Sequence, residues 1–234
     1  MIEKIKKELQ SLSDPEKAKI LSRFFKTGKG EYGEGDIFLG VVVPTQRQVA
    51  KKYRDLMIGE IRELLHSPVH EHRLTALLIL VDKYKRADEK EKKIVYEFYL
   101  KNTAKVNNWD LVDLSAPSIV GVHLCEKKES QKDVLYTLAK SENIWERRIS
   151  IISTYSLIRQ NRFEDTLKIS KILLKDKHDL IHKAVGWMLR EVGKRDMTAE
   201  ERFLKENYKK MPRTMLRYAI EKFDEKKMRQ YLAA

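Results

Sequence analysis

A chain of 234 residues with 42% hydrophobic and 35% charged residues has length for one elongated domain or two small ones and for a sizeable core. No stretch approaches the roughly 18 apolar residues of a membrane span, and the charged, amphipathic opening MIEKIKKELQ lacks the apolar run of a secretion signal. The one cysteine, Cys125, excludes an intramolecular disulfide and a cysteine metal cluster, so a cytoplasmic chain is expected.

The formal net charge of +13 is uneven: residues 140–234 carry 23 Lys and Arg against 14 Asp and Glu, and residues 1–139 carry 25 against 21. A basic second half points to a polyanionic partner, nucleic acid before membrane, although lysines scattered over solvated faces would look the same.

In chain order, the first helix is expected over about residues 2–12. Ser13-Asp14-Pro15-Glu16 then supplies a cap, an early proline and a capping-box glutamate for a second helix, which turns Ala18, Ile20, Leu21, Phe24 and Phe25 toward a core. Residues 27–36, TGKGEYGEGD, form a loop holding four of the nine glycines; it lacks the GKS or GKT ending of a phosphate-cradling loop. Phe38 to Pro44 reads as a buried, extended connector, with Pro44 opening the next helix.

From residue 44 onward the periodicity is helical. Ser67-Pro68, Asn143 to Glu146 and Thr198 to Glu201 read as helix starts. Similar segments begin at 72, 109, 146 and 182, a spacing of 36 or 37 residues. Two helices per repeat at that period predict an all-α fold, a curved solenoid of HEAT/armadillo-like two-helix repeats. We expect a single domain over 1–234, with 1–43 as an N-terminal helical cap and 44–234 as repeats, closed by a last pair from about 198 to 232. Such a stack buries its own core and is expected to be a monomer.

The unusual residues fall on the second helices of the repeats. In NNWDLVDLSAP, from Asn107, Trp109 and Asp113 are i and i+4 neighbours on one helical face. Pro117 lacks an N–H and crowds the carbonyl of Asp113, so the helix should bend or break at that acid. The plainer reading is a core tryptophan, a surface acid and a helix that stops early. Trp145 with Arg147 and Arg148, and Trp187 with Arg190, repeat the pairing of an aromatic and a charge. Core filling suits Trp145, beside Ile144. Gly186, next to Trp187, signals close approach of another backbone or of a ligand.

Other chemistry is thinner. His178 and His182 are spaced as two metal ligands, but no third ligand and no HExxH glutamate accompany them. His66, His70 and His72 read as solvated or capping residues near a helix start. Cys125 reads as a small buried hydrophobe, and neither a GxSxG context nor a nucleotide fingerprint is present.

Together NNWDLVDLSAP, NIWERR and KAVGWMLRE, with FLGV..P..R near the start and PRTMLRYAIEKF near the end, resemble the DNA alkylation repair family of HEAT-like-repeat DNA glycosylases, the AlkD type, over nearly the whole chain. The resemblance implies a monofunctional hydrolase of base excision repair that removes N3- and N7-alkylated purines from double-stranded DNA without flipping the base into a pocket. It implies that Trp109, Asp113 and Trp187 meet the lesion nucleotide and that Arg148 and Arg190 hold the DNA backbone. No metal or organic cofactor is implied. The rival readings are a non-catalytic DNA-binding repeat protein for damaged or branched DNA, and a helical scaffold for a protein or RNA partner.

Overall fold

A computed structural model describes residues 1–125 and 133–233. The secondary structure is helical, with one isolated bridge between Ile37 and Val69 and no strand among the described residues. The chain divides into two compact units, Met1–Ser115 and Ala116–Ala234.

The first unit holds α1 (Ile2–Ser11), α2 (Pro15–Phe24), α3 (Val43–Lys52), α4 (Ile58–Leu65), α5 (His70–Arg86), α6 (Glu89–Lys101) and most of α7 (Trp109–Ala116). Helix α1 forms because Ile2, Ile5 and Leu9 recur on one face, which it buries against α3, α4 and α5. Helix α5 is the centre of the unit. Leu74, Leu77, Ile79, Leu80 and Tyr84 are buried around its circumference, as expected of a helix packed on several sides. Full burial of one such side chain contributes about 1.5–3 kcal/mol.

Helix α2 departs from expectation. Asp14 caps it, accepting from the backbone N–H of Glu16 and Lys17, and Pro15 opens it. Yet Ile20 and Phe24 are 64% and 61% exposed, and only Phe25, just past the helix, is buried. Adjacent helical side chains diverge by about 100°, so Phe24 and Phe25 cannot both face inward, and Ile20 shares the outward face with Phe24. The connector that follows is buried from Phe38 to Val41, while Val42 and Val43 emerge as α3 begins. Gly40 sits at φ +85, and a Cβ there would lie 2.1 Å from the Asp14 carbonyl oxygen. Only glycine satisfies both the backbone angle and that approach.

The second unit runs through a π-helical turn, Pro117–Gly121, then α8 (Val122–Cys125), α9 (Asp133–Ala139), α10 (Ile144–Ser153), α11 (Tyr155–Ile158), α12 (Glu164–Leu173), α13 (Asp179–Gly193), α14 (Met197–Asn207), α15 (Arg213–Ala219) and α16 (Glu225–Ala233). Helix α13 packs against α10, α12, α14 and, most extensively, α15, while α10 rests on α9.

The all-α repeat organisation read from the sequence is present. Helices α5, α7, α10 and α13 open at His70, Trp109, Ile144 and Asp179, close to the expected starts, and each follows a first helix of its own. Two caps differ. Helix α14 is capped by Asp196, which accepts from Ala199 N–H, instead of Thr198. Ser67 does not cap α5; its hydroxyl accepts from Val69 N–H and bonds His72 Nδ1. Pro117 does not break the chain's helical course either. Ala116 and Val122 on either side keep right-handed helical angles, and the turn between them widens to π. The wider turn relieves the crowding that proline creates in α-helical register.

Candidate functional site

Trp109 is the first residue of α7, and Asp113 lies one turn further on the same face. Both are half-buried. The inward side of α7 is fixed by Ser115, whose hydroxyl donates to the Leu111 carbonyl and meets the buried Tyr99 hydroxyl at 2.9 Å. Burial, and secondarily the charge of Asp113, push the Tyr99 phenol well above its ordinary pKa, with the Ser115 contact opposing.

The indole of Trp109 belongs to a ladder of rings. It stacks on Phe25 with centroids 5.2 Å apart and planes 18° apart, and Phe24 meets it edge-on at 5.9 Å. Phe25 in turn stacks on Phe38 at 5.1 Å, and both phenylalanines contact the His70 imidazole, at 5.0 and 4.6 Å. Offset stacking of this kind contributes about 0.5–1.5 kcal/mol per pair beyond the area buried.

His70 is the unexpected centre. It is 2% exposed, neither solvated nor a cap. Its Nε2 lies 2.8 Å from a carboxylate oxygen of Asp110, and its Nδ1 lies 3.3 Å from one of Asp36. Arg73, one turn along α5, pairs with the other Asp36 oxygen at 2.6 Å and donates to the carbonyls of Ser67 and Pro68. Burial disfavours the imidazolium, but the Asp110 charge and the bonds to both carboxylates outweigh it and raise the His70 pKa to about 9. Burial would likewise raise Asp36; the bond from His70 and the charge of Arg73 reverse this and hold its carboxyl below the usual range. Two acids and two bases thus neutralise one another in a buried site.

The glycine-rich loop has its role here, since it ends at Asp36. Its own amides do not face a ligand: Gly28 N–H donates to Glu31, and Gly30 N–H donates to Glu34. Beside the cluster, the buried Glu71 carboxylate accepts from the backbone N–H groups of Leu39, Gly40 and Val41, clamping the connector. The HEHR run that opens α5 carried no local signal for either residue, because the partners of His70 and Glu71 lie 30 to 40 residues away in the chain.

The remaining site residues lie in the second unit. Trp187, on α13, is half-buried; its indole N–H donates to Glu191 at 3.1 Å, and Tyr155 is its ring neighbour at 6.3 Å. The neighbouring Gly186 answers to a backbone: a Cβ there would lie 2.4 Å from the Met215 carbonyl oxygen and 2.5 Å from the Tyr218 Cβ, both on α15. Arg148 is 5% exposed and donates from Nη1 to the Leu180 carbonyl, joining α10 to the start of α13. Arg190 is ion-paired with Glu221. Trp145 is core, as its place beside Ile144 suggested.

His178 and His182 have structural duties: His178 Nδ1 accepts from Leu180 N–H, and the His182 ring bonds the Asp176 carbonyl. Among the described residues no group of three or more His, Cys, Asp or Glu is placed to hold a metal ion, and no helix is long and apolar enough to cross a membrane.

The model of the family described as DNA alkylation repair enzyme matches residues 5–223. The chain belongs to that family. A solved structure described as "Predicted DNA alkylation repair enzyme from Enterococcus faecalis" shares its fold, with a TM-score of 0.71 and 17% identity over 91% of this chain and 97% of the other. No curated protein sequence matches. Membership in the DNA alkylation repair enzymes makes DNA the substrate class.

Proposed function

We propose that the chain is a monofunctional DNA glycosylase that hydrolyses the N-glycosidic bond of purines alkylated at N3 or N7 in duplex DNA. The observation that carries this reading is the pairing of Asp113 with Trp109 on one partly exposed face of α7, in a chain of a DNA alkylation repair family.

Glycoside hydrolysis ordinarily uses two carboxyl groups, one to protonate the leaving group and one to assist at the sugar. A purine with an extra alkyl group on a ring nitrogen is already cationic, so it departs with the bonding electrons as a neutral base and needs no proton. One carboxylate is then enough. Asp113 stabilises the positive charge that develops on the sugar and orients the attacking water, which delivers a hydroxyl to C1′ and a proton to the carboxylate or solvent. Electrostatic stabilisation of that kind contributes several kcal/mol. Trp109 adds cation–π attraction of about 0.5–2 kcal/mol to the base or the charged sugar. The family resemblance extends the proposal to Trp187 as a second indole contact, to Arg190 at the DNA backbone, and to action without base flipping; Arg148, buried against the Leu180 carbonyl, joins α10 to α13 instead of facing a phosphate. The +13 net charge favours association with DNA. The same reading has the chain working as a cytoplasmic monomer in base excision repair, without a cofactor.

The test is release of 7-methylguanine from a duplex carrying that single lesion, followed by alkaline cleavage at the abasic site. Asp113→Asn should slow release by about 100-fold or more while binding undamaged duplex normally. Absence of release by the wild-type protein, or an Asp113→Asn variant as fast as wild type, would defeat the proposal.

A further inference from the structure

The residues on both sides of Trp109 in the chain are tied to the same buried cluster. Asp110 accepts from His70 at 2.8 Å. Asn108, wholly buried, donates from Nδ2 to Asp36 at 3.4 Å, while its Oδ1 accepts the Trp109 backbone N–H at 2.8 Å. Asp36 is itself bonded to His70. The indole is held a third way, since Phe25 contacts both the His70 ring and Trp109. Helix α7 is only eight residues long and gives way at Pro117 to a π turn, so its own hydrogen-bond ladder contributes little rigidity. Ser115 anchors its inward side, and the His70 cluster grips its first turn.

We propose that His70 is a positioning residue for base excision: through Asp110, and through Asp36 and Asn108, it sets the first turn of α7 and so the placement of Trp109 and Asp113. This rests on the glycosylase reading of α7, and it gives a task to the glycine-rich loop, which delivers Asp36. His70 itself does not touch the lesion. Its contribution is geometric, of the kind in which a displacement of about 1 Å lowers a rate by about 100-fold. A histidine suits the position because its two ring nitrogens donate in opposite directions to two carboxylates while its faces stay apolar against Phe25 and Phe38.

Two variants and two readouts test this. His70→Gln removes the double bridge. Asp110→Asn keeps an acceptor for His70 and for Leu111 N–H but removes the charge, and it decides the matter if His70→Gln does not fold. Single-turnover release of 7-methylguanine from a one-lesion duplex is measured beside amide hydrogen exchange of the folded protein. We expect release to fall by about 10- to 100-fold in His70→Gln, and less in Asp110→Asn, with affinity for undamaged duplex within about twofold of wild type. Exchange should quicken over residues 107–116 and stay unchanged over α10 in the second unit.

Wild-type release and wild-type protection of 107–116 in both variants would overturn the inference. So would a rate loss accompanied by equal loosening of α10, which marks general destabilisation. If the wild-type protein releases no base, the glycosylase reading falls alone, and the exchange arm still decides whether His70 holds α7.

Discussion

His70 Nε2 stands 2.8 Å from the carboxylate of Asp110, the residue that follows Trp109, so a buried charge on α5 grips the first turn of the helix that carries the candidate acid. A pH dependence follows. The folded-state pKa of His70, about 9, lies above its ordinary 6.5. Its stabilisation is therefore fully present below about pH 6.5 and lost as pH rises through 9. The full effect is about 3 kcal/mol. The melting temperature of the wild-type protein should fall between pH 6.5 and 9 more steeply than that of His70→Gln. Parallel melting curves of the two proteins check this, and equal slopes would refute it.

Trp109 should answer to aromatic character as well as to size. Trp109→Phe keeps a ring on Phe25 but weakens cation–π attraction, and we expect base release to slow by about 2- to 30-fold with little change in melting temperature. Trp109→Ala removes the stacking partner of Phe25 and should lower both. Single-turnover rates and thermal melting separate the two effects.

Gly186 lets α13 lie directly on α15. With the Met215 carbonyl oxygen 2.4 Å from a Cβ at this position, the helices must part to admit even a methyl group. Gly186→Ala should cost about 1–3 kcal/mol, measured by urea unfolding, although alanine is the better helix former.

Glu200, on α14, is 1% exposed, and Oε1 has no hydrogen-bond partner. Burial, aided by Glu201 and opposed by Arg190, raises its pKa to about 8. Because the folded value exceeds the ordinary 4.5, stability declines as pH rises from about 4.5 through 8. Glu200→Gln removes the ionisation, so its advantage in melting temperature over wild type should grow by about 10 °C between pH 5 and pH 8. A constant difference across that range would contradict the assignment.

Much of this protein is written locally. The recurrence of similar segments every 36 or 37 residues determined the helix pairs, because helical periodicity depends only on neighbours within a few turns. The spacing of Trp109 and Asp113 determined that they share a face, whatever packs behind them. Asn143 could be recognised as a cap because a cap bonds within three residues of itself, whereas the capping box read over Ser13 to Glu16 is replaced by Asp14 accepting from Glu16 and Lys17 N–H. Tertiary structure alone decided the rest. The partners of His70 lie 34 and 40 residues away, and those of Glu71 about as far. Nothing in the local pattern separates a histidine awaiting two buried carboxylates from one facing water. Packing alone also turned Phe24 outward beside Trp109 and enclosed the Arg148 guanidinium against the Leu180 carbonyl. The physical reason is common to all three. A backbone repeat is dictated by bonds along the chain, whereas burial and its effect on charge depend on which distant segments exclude the water.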